Sequence, residues 1–199
     1  MDAFEMEDGT AFPIENDVDL CSSILSRFSS SAQEEHQHLC AAIGAMSQEL
    51  KDQNLPLTPI SYFGATCSSL DRLLSSPDPD RSSHIIGSLS TILSLLLPKI
   101  SVAVLKKKGD FLTDLVVRVV RLSSVTAGAV ASGLTCLSRL LTGRGRVNWS
   151  DVSQLYGVVL AFMTDSRLKV NFFISLPAHD LIEFYLFLFL FLISVVFLI

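Results

Sequence analysis

Apolar residues recur at helical spacing in one segment after another, and a short polar or proline-containing break ends each segment. Leu20, Ile24, Leu25 and Phe28 share one face, and Leu39, Ile43, Met46 and Leu50 follow at intervals of 4, 3 and 4. The same period returns in Ile85, Ile86, Leu89, Ile92, Leu93 and Leu96, then in Phe111, Leu112, Leu115, Val116, Val119 and Leu122. It returns once more in Val152, Leu155, Tyr156, Val159 and Phe162. No segment alternates with a period of two, so a chain of 199 residues is left with an all-α fold.

The breaks fix the expected elements. Asp17 is placed to cap a helix reaching Phe28, and a second helix covers Gln33 to Lys51, with Glu34 and Glu35 in its first turn and Lys51 in its last. Thr58 caps a third helix with Pro59 at its first position, ending near Leu74 before the Pro77-Asp78-Pro79 loop. Ser82 or Ser83 opens a fourth, which Pro98 ends or kinks, and residues 99–105 add another turn or two. Lys106-Lys107-Lys108-Gly109 reads as a basic loop, after which Asp110 caps the next helix. Residues 125–141 form a helix rich in Ala and Gly, suited to close helix packing. Gly143-Arg144-Gly145-Arg146 is a further loop before a helix over 152–163.

About seven helices therefore pair as antiparallel hairpins over 18–51, 58–105 and 110–142, with half a pair at 148–163. A recurrence of roughly 40–50 residues fits the HEAT or armadillo period, and a four- or five-helix bundle is the competing architecture. The expected domains are an acidic disordered leader over 1–17, a helical domain over 18–170 and a hydrophobic tail over 171–199.

Charge is unevenly spread along this framework. The net charge is −5, yet residues 1–20 hold seven acids and no base, while residues 99–146 hold nine bases against Asp110 and Asp114. A basic stretch of that kind suits an anionic partner such as RNA. Lys106, Lys107, Lys108, Arg144 and Arg146 are the candidate RNA-binding residues, because cations on loops reach phosphates without disturbing a core. Catalytic patterns are missing: there is no phosphate-binding glycine loop, nucleophile elbow or zinc-protease helix. His36 and Cys40, four apart, could share a metal, but two ligands do not make a site. No enzyme activity, cofactor or metal is expected. The first 20 residues lack the basic start and apolar core of a signal peptide, so the four cysteines are expected to be reduced in the cytosol.

Longer runs are more specific. Glu35-His36-Gln37-His38-Leu39-Cys40-Ala41-Ala42-Ile43-Gly44-Ala45-Met46 and Pro56-Leu57-Thr58-Pro59-Ile60-Ser61-Tyr62-Phe63-Gly64-Ala65-Thr66 are two of them. Leu95 through Lys108, Val147-Asn148-Trp149-Ser150-Asp151-Val152 and Thr164 through Val170 are the others. Together they resemble the N-terminal HEAT-repeat region of the plant-type ribosomal-RNA-processing protein twelve family, over roughly residues 18–170. The resemblance implies an α-solenoid without catalytic residues. It further implies a nucleolar and nuclear role in pre-ribosomal RNA maturation and ribosomal subunit export, with pre-ribosomal particles, RNA and nuclear transport factors as partners.

The resemblance stops at Val170. Residues 171–199 hold 7 of the 13 Phe residues and no Lys or Arg. Phe, Leu, Ile and Val all have U as second codon base, and Lys169-Val170-Asn171 can be written with a splice-donor-like AG|GUAA. The tail is thus expected to be intron-derived, truncating a larger protein. Residues 180–199 also come close to the roughly 20 apolar residues that span a bilayer. The alternative reading is accordingly a tail-anchored membrane protein with a cytosolic helical interaction domain.

Overall fold

The structure, a computed structural model, describes residues 19–144, and their side chains as far as residue 141. The leader, the helix expected over 152–163 and the apolar tail lie outside the described residues. Within them the chain forms six α-helices and no strand: α1 Leu20–Phe28, α2 Glu34–Asp52, α3 Pro59–Leu74, α4 Ser83–Leu96, α5 Val102–Arg121 and α6 Ala127–Arg144. Short 3-10 turns at Pro79–Ser82 and Leu97–Lys99 lead into α4 and out of it.

Local chemistry explains most of these bounds. Thr58 accepts a hydrogen bond from the Ser61 amide at 3.4 Å, and Pro59 occupies the first turn, where its missing N–H leaves no gap. At the end of α2, Asn54 adopts a left-handed φ of 54°. The Leu55 amide then donates to the Leu50 carbonyl at 2.8 Å and the Asn54 amide to Lys51 at 2.9 Å, which satisfies the last carbonyls of the helix. Helix α4 stops at Leu96, two residues before Pro98.

Two expectations are corrected. The basic run is not a loop: Lys106, Lys107, Lys108 and Gly109 lie inside α5, which starts at Val102 and passes through Asp110 without a break. Lysine is a good helix former, and one Gly costs only about 1 kcal/mol relative to Ala. Gly109 and Leu112 are buried, and Val104 and Leu105 pack against the core. One apolar stripe therefore runs through the lysines and holds the helix together. Residues 102–105 belong to α5, so the second hairpin closes at Leu96 rather than at 105. At the other end of the chain, α1 begins at Leu20 with Asp19 in the N-cap position. The Asp19 side chain caps no backbone group. It accepts the Tyr62 phenol instead, at 2.9 Å.

The helices form three hairpins, α1–α2, α3–α4 and α5–α6, arranged as two layers. In one layer α2 packs on α4 and α4 on α6; in the other α3 packs on α5. Ile86, Ile92, Leu93 and Leu96 of α4 are fully buried, beside Ile43 of α2, Leu70 of α3 and Leu112 and Leu115 of α5. The small residues of α6 allow the closest approach. A methyl group at Gly133 would sit 2.5 Å from Val120 Cγ2, and one at Gly87 would sit 3.2 Å from Ala129 Cβ.

Two glycine substitutions therefore have opposite expected signs. Gly133→Ala drives a methyl into Val120, a buried β-branched side chain with one preferred rotamer, and should cost about 1–3 kcal/mol. Gly44→Ala meets no atom within 4 Å and should gain about 0.5–1 kcal/mol of helix propensity. Thermal unfolding followed by circular dichroism should show the melting temperature falling for the first and rising for the second.

Candidate nucleic-acid interface

Two polar contacts fix the direction of the outer helices. Tyr62, in the first turn of α3, holds Asp19 at the start of α1. Arg118, near the end of α5, donates to Asp71 near the end of α3 and lies 3.1 Å from Asp114, one turn before it on α5. Helices α1, α3 and α5 are therefore parallel, and their N-terminal ends lie together at one end of the layers. The C-terminal ends of α2, α4 and α6 meet them there.

This shared end carries five lysines, with Glu49 and Asp52 of α2 beside one of them, while Arg27, Arg72, Arg118 and Arg121 lie in the last turns of α1, α3 and α5 at the other end. Lys51 lies in the last turn of α2 and Lys99 in the 3-10 turn after α4. Lys106, Lys107 and Lys108 are exposed in the second turn of α5. No acid stands in the first turn of α5, so the positive end of its dipole adds to the lysines instead of being offset. Successive residues on a helix are about 100° apart, so the three side chains leave α5 in three directions rather than as one cluster. Lys108 Nζ lies 5.8 Å from the centre of the Phe111 ring. Arg144 is the last residue of α6, rather than part of a loop. Its side chain, and Arg146, lie outside the described residues.

Phe111 departs from its expected place in the apolar stripe. It is 40% exposed and stands beside Lys108 on the surface of α5. The sequence does hold the signal: once Lys106–Gly109 are helical, the stripe follows Leu105, Leu112, Val116 and Val119, and Phe111 falls beside it.

The opposite end brings the histidines together in a way their sequence positions do not show. The His38 and His84 rings lie 4.9 Å apart across α2 and α4, and Glu34 approaches His38 Nε2 at 3.9 Å. His36 instead stacks on Phe28 at 4.5 Å and bonds Ser31 Oγ at 2.7 Å. Among the described residues no group of three or more His, Cys, Asp or Glu is placed to hold a metal. Cys21, Cys40, Cys67 and Cys136 are free thiols. Burial pushes Cys67 up to about 12 and raises Cys136 and Cys21 too, which keeps these three protonated and poor as nucleophiles at neutral pH.

The profile of RRP12-like N-terminal HEAT repeats matches residues 6–171, most of the chain. The chain belongs to the RRP12-like family. One curated relative, an RRP12-like protein of Gallus gallus, is 25% identical over 153 residues, which is 75% of this chain and 11% of that protein. The chain thus spans about a ninth of the length of the curated relative it matches. No solved structure matches it. The two-layer stack of hairpins is the arrangement expected of HEAT repeats, and the family match begins inside the acidic leader. Among the described residues, which do not include 180–199, no helix is long and apolar enough to cross a membrane.

Tyr62 gives this end of the stack a measurable pH dependence. Burial, reinforced by the bond to Asp19, pushes its phenol up to about 12. Unfolding lets the phenol ionise near 10, so its contribution is complete below pH 10 and is lost as pH rises towards 12. Tyr62→Phe should therefore flatten the fall of unfolding free energy between pH 10 and 12, as read from urea titrations of the two proteins. Parallel curves would contradict the placement of this phenol.

Proposed function

We propose that the chain supplies N-terminal repeats of a non-catalytic scaffold in ribosome biogenesis, acting in pre-rRNA processing and ribosomal subunit export. The observation that supports this reading is family membership over residues 6–171. Stacked helical hairpins offer broad surfaces for other macromolecules and no enclosed chemistry. The partners in this reading are pre-ribosomal particles, RNA and nuclear transport factors, and the place of action is the nucleus and nucleolus.

RNA contact falls to Lys106, Lys107 and Lys108, with Arg144 and Arg146 as further candidates. The exposure of the three lysines on α5 and the uncompensated helix dipole support phosphate contact. Phe111 adds an aromatic ring beside Lys108, suited to stacking on an unpaired base. Contacts of this sort position RNA with little regard for sequence.

Replacing Lys106, Lys107 and Lys108 together by Gln in the full-length chain should weaken binding to structured RNA across different sequences. The slope of log affinity against log salt should fall by about 1 for each phosphate that the variant no longer holds. Unchanged affinity and slope in a filter-binding salt series would remove these lysines from the interface. A tagged chain should collect in the nucleolus, and carbonate-resistant membrane association would favour the tail-anchored reading instead.

A further inference from the structure

We propose that the acidic leader, residues 1–18, docks back on the end of the stack where α1, α3 and α5 begin. There it would lay its carboxylates on Lys106, Lys107 and Lys108 and occupy the surface assigned above to RNA. The contact is a property of this chain alone; its effect on RNA rests on the reading given under Proposed function.

Four observations point the same way. The leader carries Asp2, Glu5, Glu7, Asp8, Glu15 and Asp17 and no base, while the first two turns of α5 carry three lysines and no acid. The leader joins the fold at that very end, because the Tyr62 bond pins Asp19 beside the start of α3. From there to α5 is two helix spacings, on the order of 20 Å at 8–10 Å each, and eighteen residues can extend to roughly 60 Å. Between the two charges the fold exposes Leu55 and Ile60, at 45% and 51%, and the leader contains Phe12 and Ile14 with Glu15 next to them. The leader sequence thus offers apolar side chains next to carboxylates, and this end of the stack offers exposed apolar side chains and the lysines of α5. Finally, the RRP12-like match starts at residue 6, so most of the leader lies within the region that the family shares.

Charge pairs of this kind are screened by salt, while small apolar contacts are not, so the contact should be strong at low ionic strength and weaken as salt rises. It would act as a competitor for anions held on the same chain, at an effective concentration in the millimolar range.

Carbodiimide coupling of the full-length chain tests this, because it joins only carboxylates and amines already in contact. At low salt, mass spectrometry should find amide links from leader carboxylates to Lys106, Lys107 or Lys108, at least tenfold scarcer in 0.5 M NaCl. A mixture of isotope-labelled and unlabelled chains should show the links within single chains. Absence of these links, or links only between chains, overturns the proposal. A second variant, with the six leader acids changed to Asn or Gln, lies outside the helical core. It should bind poly(U) at least threefold more tightly than the parent at low salt. Equal binding overturns the masking role. Leader–lysine links without any poly(U) binding by either protein would leave the docking standing and remove the RNA reading.

Discussion

Everything in this fold leans on α4. It packs on α3 behind it, on α2 at one side and on α6 at the other, so one fourteen-residue helix joins all three hairpins. A helix in that position cannot have a wide polar face. Its sequence complies: Ile86, Leu89, Ile92, Leu93 and Leu96 are buried, and its hydroxyls are spent locally. Ser88 donates to the His84 carbonyl at 3.0 Å, Thr91 to Gly87 at 3.2 Å and Ser90 across to Ala129 at 3.4 Å. Repeats of this type cannot bury their faces alone, which makes each hairpin's stability a property of its neighbours.

The glycines and alanines of α6 are the second requirement of the same constraint. A side chain larger than hydrogen at Gly133 meets Val120, so α5 and α6 can touch closely only with that residue there. That close contact holds α6 against α5, the helix that presents the lysines.

The apolar period, the cap and proline breaks and the small-residue run together locate five of the six described helices to within about three residues. They misplace the start of the other, and the reason is physical. Three lysines followed by Gly and Asp resemble a loop when read for polarity, yet lysine favours helix, and Leu105, Gly109, Leu112 and Val116 keep one buried line through the run. Asp19 and Asp17 pose the reverse problem. An acid before an apolar stripe reads as a cap, and only the fold brings the Tyr62 hydroxyl, 43 residues away, to take the Asp19 carboxylate. Of the candidate interface, the lysines can be named from sequence. Their divergence around α5, the exposure of Phe111 and the meeting of the N-terminal ends of α1, α3 and α5 cannot, because each depends on which neighbour covers which face.

The surface open to partners is thus set by a continuous, tightly packed α5, and not by a flexible basic loop. Amide hydrogen exchange at residues 106–110 of the full-length chain is the most direct check on that claim. A continuous helix predicts slow exchange there, within about tenfold of residues 112–119. Exchange at the free-chain rate over 106–110, beside protected residues 112–119, would show that the helix starts after the lysines and would contradict it.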